Sequence, residues 1–140
     1  MKKYLLVGMV VALSLLIACG KKDFSKMSFN DGEYQGHYES DDKDHKDSAD
    51  VIITIQDNKI VSCTAEFKDS NGNIKGDDYG KDAGDDKYKK AQIAVQGFST
   101  YAEKLVEVQD PNEVDAVSGA TVSNKEFKEA VWNALEKAKK

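Results

Sequence analysis

Residues 51–67 have the sequence VIITIQDNKIVSCTAEF, and this stretch decides the fold. Its first part, residues 51–55, is rich in β-branched side chains, which favour strands. In its second part apolar and polar residues alternate, as they do in a strand with one buried and one exposed face. The apolar members of that alternation are Val61, Cys63, Ala65 and Phe67. Asp57 and Asn58 between the two parts predict a tight turn, so the stretch predicts an antiparallel hairpin.

A third strand is predicted just before this hairpin. Residues 33–38 alternate in the same way, which places Tyr34, Gly36 and Tyr38 on one face. The charged stretch 40–50 separates this strand from the hairpin, and its acidic run 41–47 is interpreted as a solvated loop. Three strands joined by short connections predict an antiparallel meander.

The second half of the chain has helical spacing. From Tyr88 to Val106 apolar residues recur at intervals of three and four, which predicts an amphipathic helix. Gly97 lies inside this pattern, and we expect it to divide the region into two helices, with Ser99 capping the second. The last apolar stripe consists of Phe127, Ala130, Val131, Ala134, Leu135 and Ala138. The predicted fold class is therefore α+β, a small antiparallel sheet packed with two to three helices and ending in an amphipathic helix.

The charge balance of the chain excludes some classes of partner. Its 140 residues include 20 basic and 25 acidic ones, for a formal net charge of −5. The lysines are scattered and form no basic patch that could hold a phosphate backbone. We therefore expect no nucleic-acid partner.

The N-terminus has the pattern of an export signal. Lys2 and Lys3 precede an apolar run that is too short to cross a membrane, since a spanning helix needs about 20 residues. The run ends in Leu16-Ile17-Ala18-Cys19, which resembles the lipobox of bacterial lipoproteins. The resemblance implies that residues 1–18 are a signal peptide and that Cys19 becomes the lipidated first residue. It also implies a lipid-anchored protein at the extracytoplasmic face of a bacterial cell membrane.

The remaining chain is predicted to contain a tether over residues 19–30 and one folded domain over residues 31–140. With Cys19 lipidated, Cys63 is the only other thiol, so no internal disulfide is expected. No metal site is predicted. The loop beginning at Asp69 resembles the start of a calcium loop but has Ile74 where the turn needs glycine, and the acidic run 41–47 lacks ligand spacing.

The segment before the last helix has an unusual composition for a connector. Residues 118–123, SGATVS, combine three hydroxyl side chains with two of the smallest residues. Ser123 and Glu126 have the S-x-x-E spacing of a capping box, which predicts that Ser123 caps the final helix. Thr121 would then lie two residues before a helix N-terminus, where a phosphate is favoured.

This segment resembles the flavinylation motif of the FMN-binding domain family. The matching residues are Asp115, Ser118, Gly119, Ala120 and Thr121. The family includes the C subunit of the sodium-pumping NADH:quinone reductase, the G subunit of the Rnf complex and small bacterial lipoproteins. Residues 31–36, 51–61, 72–79 and 127–135 also resemble the family's strands, loop and closing helix. One departure is Asp57-Asn58, where the family usually has glycine in the hairpin turn, and asparagine tolerates that conformation.

The resemblance implies a covalent cofactor. A flavin transferase would take FMN from FAD and link its phosphate to Thr121 as a phosphodiester. The residues implied in recognition of the motif and in the fit of the cofactor are Asp115, Ser118, Gly119 and Ala120. Ser123 lies in the same cofactor-binding segment, and its predicted role is to cap the helix. The implied function is an electron-transfer relay, with quinol or a membrane dehydrogenase as electron donor.

Other functions are kept as alternatives. The sequence has no nicotinamide-binding motif, no second cofactor motif and no supported catalytic triad, so no catalytic residue is assigned and a carrier is favoured over a self-contained enzyme. A flavin-dependent reductase activity stays open. The main alternative is a surface-exposed binding lipoprotein with a vestigial flavin motif, and a signalling role for the released residues 1–18 is a third hypothesis.

Overall fold

The computed structural model describes residues 22–117 and 119–140. Three strands form an antiparallel sheet in the order β1-β2-β3: β1 is Gly32–Glu39, β2 is Ser48–Gln56 and β3 is Lys59–Lys68. Two long helices follow, α1 over Asp85–Val108 and α2 over Thr121–Ala138. Short 3-10 helices occupy Phe24–Lys26, Lys81–Ala83 and Pro111–Glu113. The predicted α+β class, the meander and the C-terminal helix are confirmed.

Both helices cover the same face of the sheet. α2 packs against β1 and β2, and α1 packs against β3. The core between these layers consists of side chains that are completely or almost completely buried. They include Ile53, Ile55, Leu105, Phe127, Val131 and Leu135. This packing fixes the N-terminal end of α2, which carries the motif threonine, relative to α1 and the sheet.

The hairpin between β2 and β3 turns as the sequence predicts, but its register shifts. Asp57 and Asn58 adopt positive φ angles of 51° and 62°. An irregularity in the pairing at Thr54/Ile55 changes which face β3 presents at its start. Ile60 is consequently buried, whereas Val61 has 47% of its surface exposed. The prediction that Val61 belongs to the buried face is therefore wrong, because simple alternation does not account for a bulge.

Helix α1 runs without interruption through Gly97, so the expected division into two helices is wrong. Ser99 is an exposed residue within the helix and caps nothing. Gly97 has a packing role instead, since a Cβ atom there would lie 3.2 Å from the Cβ of Val117. The glycine lets the segment before α2 approach the helix closely.

Residues 22–30, predicted as part of a tether, pack on the domain. Phe29 is buried, and its backbone N–H donates to Oδ1 of Asn58 at 2.7 Å. Two further backbone bonds join this segment to the end of α2, from Asn30 N–H to the Ala138 carbonyl at 2.8 Å and from Lys140 N–H to the Ser28 carbonyl at 2.9 Å. The side chain of Phe24 contacts the rings of Phe29 and Trp132. The folded unit thus begins before residue 31.

The signal peptide assigned to residues 1–18 and the lipidation site at Cys19 lie outside the described residues. Within residues 22–117 and 119–140, neither α1 nor α2 has the length and apolar character needed to cross a membrane.

Candidate functional site

A cleft of about 570 Å³ lies between α1, the start of α2 and two loops. A smaller cleft of about 330 Å³ adjoins it, and Ser40, Asp42, Thr121 and Val122 line both. Of the residues predicted for the site, Gly119, Ala120, Thr121 and Ser123 line the larger cleft. Asp115 is exposed and is not one of the lining residues, and Ser118 lies outside the described part of the chain.

Thr121 is the first residue of α2 and is exposed to solvent. The N-cap is Ala120, whose carbonyl accepts from the Asn124 N–H at 3.0 Å, and no side chain caps the helix. Ser123 is the buried third residue of α2, and no described residue hydrogen-bonds the carboxylate of Glu126. The predicted capping box is therefore wrong, because the N-cap is Ala120, three residues earlier than the box requires.

The earlier start brings Thr121 closer to the favoured place for an anion. The N–H groups of Thr121, Val122 and Ser123 precede the first helical hydrogen bond, which Asn124 donates. Free N–H groups and the positive end of the helix dipole favour a phosphate at this position. The hydroxyl of Thr121 lies at that helix end rather than two residues before it.

The phenol of Tyr101 on α1 holds the segment that leads into α2. Its hydroxyl donates to the Ala120 carbonyl at 2.9 Å and accepts from the Val117 N–H at 3.1 Å. The side-chain amide of Asn124 donates to the Val114 carbonyl at 3.0 Å. Gly119 adopts a φ of +81°, which closes a turn in which the Ala120 N–H donates to the Val117 carbonyl. These bonds fix the backbone on which Thr121 is presented.

We expect Tyr101→Phe to destabilise the protein by about 1–3 kcal/mol, because it leaves the Val117 N–H without its partner and removes one of the two hydrogen bonds to the Ala120 carbonyl. Urea unfolding would measure the loss. Tyr88→Phe is the matched control, since the Tyr88 hydroxyl donates to the Asp77 carbonyl in an exposed position. Equal effects of the two substitutions would show that Tyr101 does not hold the segment.

The larger cleft has an apolar wall on one side. Ala91, Ala94 and Phe98 line it from α1, and the ring of Phe98 is stacked on Phe67 with centroids 4.2 Å apart. Tyr79 lines it from the loop after β3. The side-chain amide of Gln92 holds that loop by donating to the carbonyls of Gly76 and Tyr79 at 3.1 and 3.0 Å. An apolar wall with aromatic members suits a flat aromatic group.

The larger cleft also has charged lining residues. Nζ of Lys75 lies 2.6 Å from Oδ2 of Asp47 and 5.2 Å from the ring centroid of Tyr79, and the Lys75 side chain is 4% exposed. The acidic run 41–47 is a loop as predicted, and Asp42 and His45 are exposed within it although they also line the cleft. Asp47 is the partly buried member of the run. The Lys75–Asp47 pair joins two loops that are far apart in sequence, so no local pattern predicts it.

Glu126 is a buried acid beside these charges. It is 1% exposed, and burial raises the pKa of its carboxyl group. The charge of Lys75 lowers this pKa and the charge of Asp47 raises it, both with smaller effects. The sequence interpretation used Glu126 only as part of a cap, and its burial depends on the orientation of α2 against the sheet.

We expect Glu126→Gln to stabilise the cofactor-free protein relative to the natural chain, and we expect this gain in stability to be larger at pH 8 than at pH 5. A carboxyl group whose pKa is raised by folding stabilises the fold below its unfolded pKa, about 4.3. That stability is lost as the pH rises through the folded pKa. Glutamine does not titrate, so the expected difference is up to about 1–3 kcal/mol at pH 8. Thermal unfolding at the two pH values measures it, and a pH-independent difference would contradict it.

Cys63 does not contribute to the cleft. Its thiol is half-buried against the core, and burial raises its pKa to about 12. Because the thiolate is the reactive form, this cysteine is an unreactive packing residue at neutral pH.

Comparisons with known proteins agree with the fold and with the family resemblance. The profile of the FMN-binding domain family matches residues 44–136. A protein of Treponema pallidum (strain Nichols) named 15 kDa lipoprotein is 30% identical over 136 residues, which cover 92% of this chain and 89% of the relative. A crystal structure of a Clostridium perfringens protein superposes with a TM-score of 0.61 over 79% of this chain and 88% of that protein, at 21% sequence identity. That last similarity concerns the fold.

Proposed function

The chain belongs to the FMN-binding domain family, and we propose that it carries one FMN on Thr121 and relays electrons at the outer face of a bacterial membrane. The linkage is a phosphodiester between the FMN phosphate and the threonine hydroxyl. One observation carries the proposal: Thr121 is the exposed first residue of α2 and lines a cleft of about 570 Å³.

The residues of the cleft fit FMN. Its phosphate matches the N-terminal end of α2, where N–H groups precede the first helical bond. Its flat ring matches the wall made by Ala91, Ala94 and Phe98, with Tyr79 at the loop side. When bound, FMN supplies transfer of one or two electrons, and the protein supplies binding and orientation.

Attachment needs an accessible hydroxyl and a donor of FMN. In the proposed step, Oγ1 of Thr121 forms a bond to the phosphorus of the FMN half of FAD. The pyrophosphate bond breaks, AMP leaves, and the hydroxyl proton passes to solvent or to a base of the flavin transferase. The exposure of Thr121 supports this assignment, because a second protein has to reach the hydroxyl. Ser123 is buried in the first turn of α2 and is the poorer acceptor.

The anchor in this proposal is short. If Cys19 carries the lipid, three chain steps separate it from Lys22, whose carbonyl accepts from the Asn112 side chain at 2.7 Å. An extended chain of that length spans about 11 Å at most. The domain then lies close to the membrane surface and does not swing on a long tether. Such a position suits an electron donor within the membrane, either quinol or a membrane dehydrogenase.

Co-expression with a flavin transferase tests the proposal. The protein is denatured, separated on a gel and examined for flavin fluorescence, and its intact mass is compared with that of protein made without the transferase. We expect fluorescence that survives denaturation and a mass increase of one FMN group, located on the peptide that contains Thr121. A correctly folded protein without covalent flavin would favour the alternative, a binding lipoprotein with a vestigial motif.

A further inference from the structure

Glu126 forms part of the smaller cleft, and the described residues give its carboxyl group no partner. It is 1% exposed, and neither Oε1 nor Oε2 has a hydrogen-bond partner within residues 22–117 and 119–140. Buried polar atoms almost always have partners, because an unpaired one loses its interaction with water without compensation. The position of Glu126 therefore needs an explanation.

The charged groups around Glu126 do not supply that partner. Lys75 lies close enough to influence it, but its ammonium group is held by Asp47 at 2.6 Å. Lys125, the neighbouring residue on α2, is exposed. The remaining titratable groups of the smaller cleft are Tyr38, Asp41 and Asp42. The two aspartates have the same charge as an ionised Glu126 and cannot pair with it in that state.

Glu126 and Thr121 belong to the same cleft. Both line the space of about 330 Å³, together with Ser40 and Val122. They are five positions apart on α2, which corresponds to about 7.5 Å along the helix axis and about 140° around it. A group attached to the Thr121 hydroxyl therefore reaches Glu126 through the cleft that both residues line.

The chemistry of FMN identifies which part of it Glu126 can bind. The phosphate comes first after the point of attachment, and the ribityl chain with its hydroxyl groups comes next. Hydroxyl groups donate hydrogen bonds, and a carboxylate accepts several of them. The ring beyond the ribityl chain matches the larger cleft with its apolar wall. We propose that Glu126 binds the ribityl hydroxyl groups of the cofactor carried by Thr121, an assignment that rests on the proposed function.

This assignment predicts a link between flavin attachment and pH. Hydrogen bonds from hydroxyl groups stabilise the ionised carboxylate. The protein without flavin loses stability as Glu126 ionises, whereas the protein with flavin does not. Attachment should therefore raise the Tm more at pH 8 than at pH 5.

The test uses thermal unfolding of protein with and without covalent flavin, produced with and without the transferase. The variants are the natural chain, Glu126→Leu and the control Glu136→Gln, which changes a half-exposed glutamate on the same helix. In the natural chain and the control, attachment should raise the Tm at pH 8 by about 4 °C more than at pH 5. In Glu126→Leu the increase should be equal at both pH values. If the leucine variant does not fold, Glu126→Gln serves, since it keeps the shape and removes the titration.

Two results would overturn the assignment. One is an increase in Tm that does not depend on pH in the natural chain. The other is a smaller increase at pH 8, which would mean that the phosphate charge merely opposes the ionisation of Glu126. Failure of the proposed function differs from both, because intact mass would then show no covalent flavin in any variant before unfolding is measured.

Discussion

Thr121→Ala is expected to abolish covalent flavin attachment completely. Alanine has no hydroxyl group, so no phosphodiester can form at this position, whereas the helix start around it is unchanged. The exposed position of Thr121 makes a large structural effect of the substitution unexpected. Co-expression with a flavin transferase should give a folded protein without fluorescence on a denaturing gel and without the FMN mass increase.

Two further variants separate the acceptor from its neighbours. Thr121→Ser keeps a hydroxyl group and should retain covalent flavin. Ser123→Ala should retain it as well, because Ser123 is a buried residue of the first helical turn and its side chain does not cap the helix. Flavin that persists in Thr121→Ala and disappears in Ser123→Ala would instead identify Ser123 as the acceptor.

The parts of the fold with strong local patterns are predictable from the sequence. Residues 51–67 contain both strands of a hairpin and its turn, and each of these features depends on neighbouring residues only. The final helix is equally clear, because one apolar stripe covers its length. Hydrophobic periodicity carries this information, and it is strongest where one face of an element is buried.

Features that depend on distant contacts are not predictable in the same way. From the sequence alone Gly97 is interpreted as a helix breaker, whereas in the structure it makes room for Val117, which packs against it. Residues 22–30 lack periodicity, and their order comes from contacts with Asn58 and the end of α2. The start of α2 at Thr121 depends on Tyr101, which accepts the N–H of Val117 and donates to the carbonyl of Ala120. A capping rule based on sequence does not predict a helix boundary that a tertiary hydrogen bond sets.

The candidate site likewise has a part that the sequence predicts and a part that depends on distant contacts. Its motif is a contiguous segment, so the sequence predicts Gly119, Ala120 and Thr121 as neighbours in one place. The walls of the cleft come from two loops and α1, and their assembly depends on how the helices pack on the sheet. Lys75 and Asp47 lie on different loops, and only the folded structure brings both of them to the cleft.

The largest expected effect on stability is that of Gly36→Ala. Gly36 lies in β1 where the strand crosses α2, and a Cβ atom there would lie 1.8 Å from the Ala130 carbonyl oxygen and 2.8 Å from the Ala134 nitrogen. Both are backbone atoms of a helix and cannot rotate away. The strand and the helix would have to separate, at a cost of about 3 kcal/mol or more. The Tm should fall by about 10 °C or more, measured by circular dichroism.

Gly76→Ala is the matched control for this substitution, because a Cβ atom at Gly76 meets nothing within 4 Å. It should change the Tm by a few degrees at most.

The same helix α2 carries both the contact with Gly36 and the motif threonine, so separating β1 from α2 also displaces Thr121 from the walls of the cleft. Gly36→Ala protein should therefore acquire less covalent flavin than Gly76→Ala protein under identical co-expression. Equal stability of the two variants would mean that β1 and α2 do not approach as closely as described, and equal flavin content despite a lower Tm would mean that attachment does not require the packed position of α2.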